Sequence, residues 1–232
     1  METSEITSAD DCIAEGMALA EQGNYEEAIA AYDRAIAADE QSAAAWYGKG
    51  CAQYELHQYG EAVLAFGLSL ECDPDNIPVW DSLGIALINL NQFEEAIEAI
   101  DLALAIDAEN ASLWYHKGWA FARIQEHDEA VRAFCLSLEY DPDSLPAWVN
   151  LGTSLNILGR FEEALDAGDL ALALDSEDAH AWNMKGDALM GMLRFKEALE
   201  AYNKALSVDP EHASAWFSKG VALRKLRPGD TP

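Results

Sequence analysis

The chain has 232 residues, 50% of them apolar and 24% charged, and its 42 acidic against 14 basic residues give a formal net charge of −28. This apolar fraction is enough to form a core, which excludes wholesale disorder, while the negative charge excludes nucleic acid and anionic lipid as electrostatic partners. No apolar run approaches the roughly 18 residues that a membrane-spanning helix needs.

The start of the chain and its cysteines favour a cytoplasmic location. Residues 1–6 hold neither the basic stretch nor the apolar stretch of a secretion signal. The four cysteines are far apart and form no Cys-x-x-Cys motif: Cys12, Cys51, Cys72 and Cys135. We therefore expect reduced thiols in a cytoplasmic protein.

Four residue types recur along the chain with a period of 34 residues. The tryptophan series is Trp46, Trp80, Trp114, Trp148, Trp182 and Trp216. The glycine series is Gly16, Gly50, Gly84, Gly118, Gly152, Gly186 and Gly220. An alanine series starts at Ala28 and an aspartate series at Asp39. Such a shared period predicts tandem copies of one structural unit.

Within each period the residues predict two helices. The first helix follows a residue of the N-cap type, namely Ser42, Asn76, Asn110, Ser144 or Asp178. The second helix opens at an aromatic residue that usually precedes a glutamate, namely Tyr25, Tyr59, Phe93, Phe161 or Phe195. Glycine inside the first helix costs about 0.5–1 kcal/mol relative to alanine. We therefore expect the small Ala28 series of the second helix to pack closely against the glycines.

At this point the sequence resembles the tetratricopeptide repeat family, whose signature is Trp-x2-Leu-Gly-x2-Tyr, then Ala-x3-Phe, then Pro. Trp80 to Gly84 matches the first part, Ala62 to Phe66 the second and Pro74 the last. The resemblance implies an all-α fold, a right-handed α-solenoid of six helix–turn–helix repeats plus a C-terminal capping helix. The expected repeats are 9–42, 43–76, 77–110, 111–144, 145–178 and 179–212, followed by the capping helix 213–227. Residues 1–8 and 228–232 are expected to be flexible.

Departures from the family pattern occur in several repeats. The signature leucine is replaced by Lys49, Lys117, Lys185 and Lys219. The segment 213–227 ends in basic residues, which predicts a polar capping helix. Gly168 stands where the other second helices have an aromatic residue or isoleucine, and the expected gap lies beside Met184, Met190 and Met192. Either a flexible methionine fills this gap or an apolar notch remains for a partner.

The resemblance also implies a binding groove, because partners of this family usually lie along the first helices. The candidate groove residues are Tyr47, Tyr54, Asp81, Tyr115, His116, Trp119, Asn150, Asn156, Asn183 and Asp187. Cys51, Glu55, Ser82 and Ile85 occupy equivalent positions. Tyr115 and Trp119 lie four residues apart on one helix face and form the expected anchor. Amide side chains suit the backbone of an extended peptide.

Motifs for other chemistry are missing from the sequence. There is no His-Glu-x-x-His, no phosphate-binding glycine loop, no Gly-x-Ser-x-Gly and no EF-hand loop. The basic residues with which chaperone-binding members of the family clamp a C-terminal carboxylate are also missing. We therefore expect no enzymatic activity, no cofactor, no bound metal and no capture of a Glu-Glu-Val-Asp tail.

These features predict an adaptor whose groove binds a basic or apolar segment of a protein or peptide, with neither nucleic acid nor membrane as partner. The alternative is a structural scaffold that associates weakly head to tail. Residues 1–42 hold eleven acids and one base, whereas 213–232 hold four bases and one acid, so the two ends attract. The acidic surface serves either solubility or the steering of a basic partner.

Overall fold

The computed structural model describes residues 8–226, which contain thirteen α-helices and no strand. The helices are α1 (Ala9–Glu21), α2 (Tyr25–Ala38), α3 (Ala43–Glu55), α4 (Tyr59–Cys72), α5 (Ile77–Asn89), α6 (Phe93–Ile106), α7 (Ala111–Arg123), α8 (His127–Tyr140), α9 (Leu145–Ile157), α10 (Phe161–Leu174), α11 (Ala179–Gly191), α12 (Phe195–Val208) and α13 (Ala213–Leu226). The all-α prediction is confirmed. Residues 1–7 and 228–232 of the expected flexible ends, and Arg227 of the expected capping helix, lie outside the described residues.

The chain divides into two compact units, residues 1–109 and 110–232. Unit 1 contains α1–α6 and unit 2 contains α7–α13. In both, odd-numbered helices are the first helices of a pair and even-numbered ones the second helices. Each first helix packs against the second helix that follows it, where there is one, and against the first helices beside it within the unit. The first helices therefore form one layer of each unit and the second helices another.

The turn inside each pair is a Schellman motif with one residue in the left-handed region. In the pair α3–α4, His57 has φ 59°. Its N–H donates to the Tyr54 carbonyl at 2.8 Å, and Gln58 N–H donates to the Gln53 carbonyl at 2.9 Å. The residues at the same place in the other five pairs are Gly23, Asn91, Gln125, Gly159 and Leu193. Glycine, the usual residue for this conformation, is present in two of the six turns.

Four mid-helix glycines face aromatic rings, while Gly84 faces Ile100 and Gly152 faces Met184, so the expected Gly–Ala contact is wrong in detail. A Cβ on Gly50 would lie 2.6 Å from the Phe66 ring, and one on Gly118 would lie 2.8 Å from the Phe134 ring. Ala62 is fully buried on the same helix as Phe66 but is not the nearest neighbour of Gly50. The missing side chain thus makes room for a ring, which offsets the helix cost of glycine.

Met184 fills the space left by Gly168. Its Sδ and Cε atoms are the nearest to the position of a Cβ on Gly152, where the other pairs place a side chain of their own second helix. Met184 is 3% exposed, in agreement with the first of the two readings of the gap. A flexible methionine from the neighbouring first helix therefore replaces the missing ring.

Five tryptophans of the series hydrogen bond to the loop before the first helix on which they lie. The indole Nε1 of Trp80 donates to the Pro74 carbonyl at 2.8 Å, and that of Trp148 donates to the Pro142 carbonyl at 2.8 Å. The lysine that replaces the family's leucine packs over this indole, with Lys49 Nζ 5.5 Å from the Trp46 ring centre. Lys49 Nζ also lies 2.6 Å from Asp33 Oδ1 on α2. The stem of the lysine therefore stays in an apolar contact while its charge is paired.

All five predicted N-cap residues lie at the N-cap of their helices. Ser42, Asn110 and Asp178 accept a hydrogen bond there through the side chain, whereas the helices of Asn76 and Ser144 lack this bond and carry a proline in the first turn. The capping helix is less polar than expected, since Phe217 is 76% exposed and Trp216 is 53% exposed. No helix in the described range 8–226 has the length and apolar character needed to cross a membrane.

Candidate functional site

In unit 1, the candidate residues Tyr47, Tyr54 and Asp81 lie half-buried on α3 and α5. Two hydrogen bonds join these first helices at that surface. Asn89 Nδ2 donates to the Tyr54 hydroxyl at 3.1 Å, and the hydroxyls of Tyr47 and Ser82 lie 3.4 Å apart. The tyrosine rings are thereby held in one orientation, which lowers the entropy cost of binding against them.

A cleft opens between α3 and α5 with a volume of about 220 Å³. The residues that line this α3–α5 cleft are Cys51, Tyr54, Glu55, Phe66, Ser82 and Ile85. Five of the six occupy the groove positions implied by the family resemblance, and Phe66 of α4 forms the sixth. Its lining is mainly apolar, and a cavity of about 150 Å³ already accepts a benzene ring.

The wall of this cleft is uncharged except at Glu55. Burial raises the pKa of the Cys51 thiol, although its hydrogen bond with Tyr47 acts in the opposite direction. Burial also raises the pKa of Tyr54, against the lowering effect of the Asn89 amide. Both groups are therefore neutral at pH 7, so the cleft favours an apolar side chain, with a negative charge at Glu55.

In unit 2, Tyr115, His116 and Trp119 lie half-buried on α7, and Asn150 lies on α9. Asn150 Nδ2 donates to the Tyr115 hydroxyl at 3.1 Å, which repeats the tyrosine–amide contact of unit 1. The Tyr115 ring packs 5.9 Å from Phe134 and 5.4 Å from His116, measured between ring centres. The Arg123 guanidinium covers the Trp119 ring at 5.2 Å. Part of the expected anchor surface is therefore already used inside the protein.

The remaining candidates lie on α9 and α11. Asn156 Nδ2 donates to the Met184 carbonyl at 2.9 Å, and Asn183 Nδ2 lies 3.3 Å from Asp187 Oδ2. Among the described residues, the Oδ1 atoms of Asn156 and Asn183 are buried without a hydrogen-bond partner. The Asn183 and Asn156 amides thus each retain an acceptor that no protein group fills.

Asp187 belongs to a polar cluster that fastens α11, α12 and α13 together. The Tyr202 hydroxyl donates to Asp187 Oδ1 at 2.7 Å, and Ser218 of α13 lies near enough to lower the pKa of this carboxylate. Burial raises the pKa of Asp187, and Tyr202, Ser218, His212 and Asn183 oppose the shift. Burial and the neighbouring Asp187 charge raise the pKa of Tyr202. Asp187 therefore serves helix packing as well as the surface.

Five of the cleft residues stand at positions that the family resemblance implies, whereas Phe66 is expected only as a signature residue. Its place in the cleft wall follows from its contact with Gly50. The sequence pattern also gave no sign that the amides of Asn89 and Asn150 would bond to tyrosines. In residues 8–226, no group of three or more histidine, cysteine, aspartate or glutamate side chains is placed to hold a metal ion.

Comparison with known proteins identifies the repeat. The family model described as "Tetratricopeptide repeat" matches residues 13–77, 82–139, 137–179 and 183–227, and a second model of the same description matches 65–98. No curated protein matches the chain closely enough to be counted.

Several solved structures share the fold. YrrB, described as a TPR protein with an unusual peptide-binding site, is 21% identical with a TM-score of 0.69, covering 82% of this chain and 97% of its own. MamA from Desulfovibrio magneticus RS-1 is 18% identical with a TM-score of 0.69, covering 75% and 98%. A tetratricopeptide repeat protein from Parabacteroides merdae is 16% identical with a TM-score of 0.78, covering 92% and 85%.

Proposed function

Because the chain belongs to the tetratricopeptide repeat family, we propose that it is a non-catalytic protein-interaction module. Its first-helix surfaces bind an extended segment of a protein partner. The observation that carries this proposal is the α3–α5 cleft, an open and mainly apolar space beside tyrosines that are already oriented. The description of YrrB as a protein with a peptide-binding site supports the same use of the fold.

The chemistry of the cleft selects the kind of segment. Its neutral wall accepts one apolar side chain, and Glu55 at its edge attracts a base beside that side chain. The formal charge of −28 adds long-range attraction for a basic segment. A partner segment with an apolar residue next to lysine or arginine therefore fits best.

In unit 2, we propose Trp119 and Tyr115 as a second contact surface. Replacing Trp119 with alanine is expected to weaken partner binding by about 2 kcal/mol or more if this ring is a binding hot spot. If the Trp119→Ala variant binds the partner as tightly as wild type does, Trp119 is not part of the binding site. The readout is titration calorimetry with the partner segment once it is known.

The experiment that tests the cleft is affinity purification with the intact chain as bait, followed by mass spectrometry. Ile85→Glu places a carboxylate in the cleft and is expected to lose the proteins that wild type retains. Tyr140→Ala changes a tyrosine that is 40% exposed on α8 and serves as the matched control. Recovery of the same proteins by Ile85→Glu and wild type would contradict the proposal.

The alternative function is a scaffold that associates head to tail through its acidic and basic ends. This model requires self-association that weakens as salt screens the opposite charges. Sedimentation velocity at low and high salt separates the two functions, because an interaction module stays monomeric in both. In such an assembly α1 of one copy would contact α13 of another. Both are first helices, and along the chain a second helix stands between successive first helices.

A further inference from the structure

Helix α13 is a first helix that no second helix follows in the described residues. Gly220 lies at the position of the mid-helix glycines. Among the described residues, and apart from the backbone of its own helix, nothing lies within 4 Å of the place where its Cβ would be. At Gly50 and Gly118 the same place is occupied by the rings of Phe66 and Phe134. The site that receives a side chain in the other pairs, an aromatic ring in four of the six, is therefore open in α13 as far as the described residues show.

The residues around Gly220 are exposed where their equivalents are covered. Phe217 is 76% exposed, whereas Tyr47 and Tyr115 at the same position pack against a ring of their own second helix. Leu223 is 48% exposed, whereas its equivalents Leu155 and Leu189 are 3% and 4% exposed. Trp216, Phe217, Gly220 and Leu223 form a continuous strip, which we call the α13 strip.

The opposite side of α13 is firmly packed. Ala215 and Ala222 are fully buried, and Ser218 lies near the Asp187 carboxylate of α11. His212 Nδ1 accepts from Ala215 N–H at 3.3 Å and caps the helix. The α13 strip is therefore preformed, so a helix that packs on it does not have to order it first.

The charge at the end of α13 indicates what would pack there. Arg224 and Lys225 lie in its last turn, while α1, α3, α5, α9 and α11 have no base in theirs. In each pair the second helix begins beside this end of the first helix, and its first turn is acidic, as with Glu26 and Glu27 of α2. The basic end of α13 thus complements the acidic start of such a helix.

We propose that the α13 strip binds an amphipathic helix of a partner protein that has the chemistry of this chain's own second helices. That helix has an acidic first turn, a small residue against α13 and an aromatic side chain four residues later that enters the Gly220 site. A second copy of α13 would bring like charges together at Arg224 and Lys225, which disfavours a symmetric dimer.

The probe is a labelled, end-blocked peptide with the sequence of α2, residues 25–38, titrated with the intact chain by fluorescence anisotropy. Gly220→Ala adds a methyl group where the incoming ring must lie, yet it has open space in the free protein and favours helix. We expect it to fold at least as stably as wild type and to bind the peptide at least tenfold more weakly. Gly67→Ala, whose Cβ also meets nothing within 4 Å, is the matched control.

Two further variants separate the contributions. A peptide that carries Tyr32→Ala is expected to bind the wild-type protein more weakly than the unchanged peptide does. Its affinity should not fall further when the protein carries Gly220→Ala. Arg224→Glu is expected to weaken binding at low salt, whereas Arg132→Glu on α8 leaves it unchanged. No peptide binding, or equal binding to wild type and Gly220→Ala, would overturn the proposal.

The other occupants give distinct results, and either would also overturn the proposal. If a second copy covers the strip, sedimentation velocity would show a dimer, and Phe217→Glu would dissociate it. Coverage by residues 227–232 would show as peptide binding only after their deletion. Neither outcome depends on the α3–α5 cleft, so this test and that of the proposed function fail independently.

Discussion

Single residues decide how each helix pair turns. The left-handed position of the turn is filled by glycine at Gly23 and Gly159 but by Leu193 in the pair α11–α12. Leu193 has φ 61° and is 72% exposed, so its side chain contributes little packing to offset the strained backbone. The chain keeps a local strain there that the turns at Gly23 and Gly159 avoid.

Leu193→Gly is therefore expected to raise the free energy of unfolding by about 0.5–1 kcal/mol. Relief of left-handed strain contributes about 1–2 kcal/mol, and the greater freedom of glycine in the unfolded chain removes about 0.4–1 kcal/mol of it. Gly159→Ala, at φ 74° in the equivalent turn, should change stability in the opposite direction. Urea titrations followed by circular dichroism measure both, and a destabilised Leu193→Gly would refute the strain argument.

Asp187 predicts a pH dependence of stability. Its pKa is raised above the ordinary value of 3.8, mainly by burial. The folded state then binds more protons than the unfolded state between these two values, so this group's contribution to stability is present at low pH and is lost as the pH rises through that window. Asp187→Asn, which cannot ionise, removes the effect.

The measurement is the difference in unfolding free energy between Asp187→Asn and wild type from about pH 3 to pH 7. The difference should shift in favour of the variant as the pH rises. Ser218→Ala is a useful companion, because it removes a group that lowers the Asp187 pKa and should therefore strengthen the pH dependence. A difference that stays constant with pH would show that Asp187 is not shifted in this direction.

At the scale of helices, the first-helix layer is joined by repeated tyrosine–polar contacts. Tyr54 with Asn89 and Tyr115 with Asn150 are each separated by 35 residues, one more than the repeat length. Each contact links a first helix to the next first helix of the same unit. They add to the apolar packing between a first helix and its second helix.

A double-mutant cycle with Tyr54→Phe and Asn89→Ala is expected to give a coupling energy of about 0.5–1.5 kcal/mol, as for a typical hydrogen bond. The same cycle with Tyr59→Phe and Asn89→Ala is the control, because the Tyr59 hydroxyl bonds to His57 instead. Unfolding free energies from urea titration supply the values. A coupling near zero for Tyr54 and Asn89 would mean that water replaces the bond without loss.

The helices themselves could be predicted from the sequence, and the contacts between them only in part. A period of 34 residues and the signature Trp, Gly and Ala define two helices per repeat with little ambiguity. That Gly50 faces Phe66 instead of Ala62 depends on how two helices cross, which periodicity does not encode. The same holds for the cleft: the sequence predicts that Cys51, Ser82 and Ile85 share one face, but it does not predict how deep the space between them is.

For the chain as a whole, the formal charge of −28 makes repulsion between acidic side chains a general cost of folding. Raising the NaCl concentration from about 20 mM to about 500 mM screens this repulsion beyond a few ångströms. The midpoint of thermal unfolding is expected to rise. Glu26→Gln with Glu27→Gln should reduce the size of this rise, and a midpoint that falls with salt would show that exposed ion pairs dominate instead.

The indole hydrogen bonds to the preceding loops have a practical consequence. Trp46, Trp80, Trp148, Trp182 and Trp216 each hold the carbonyl six residues before them. Each loop that is held in this way therefore has a native fluorophore beside it, and the emission of that tryptophan responds to the loss of the hydrogen bond. Replacing every tryptophan except one of these five with phenylalanine, Trp114 and Trp119 included, would let the opening of a single junction be followed by its own fluorescence, without any attached dye.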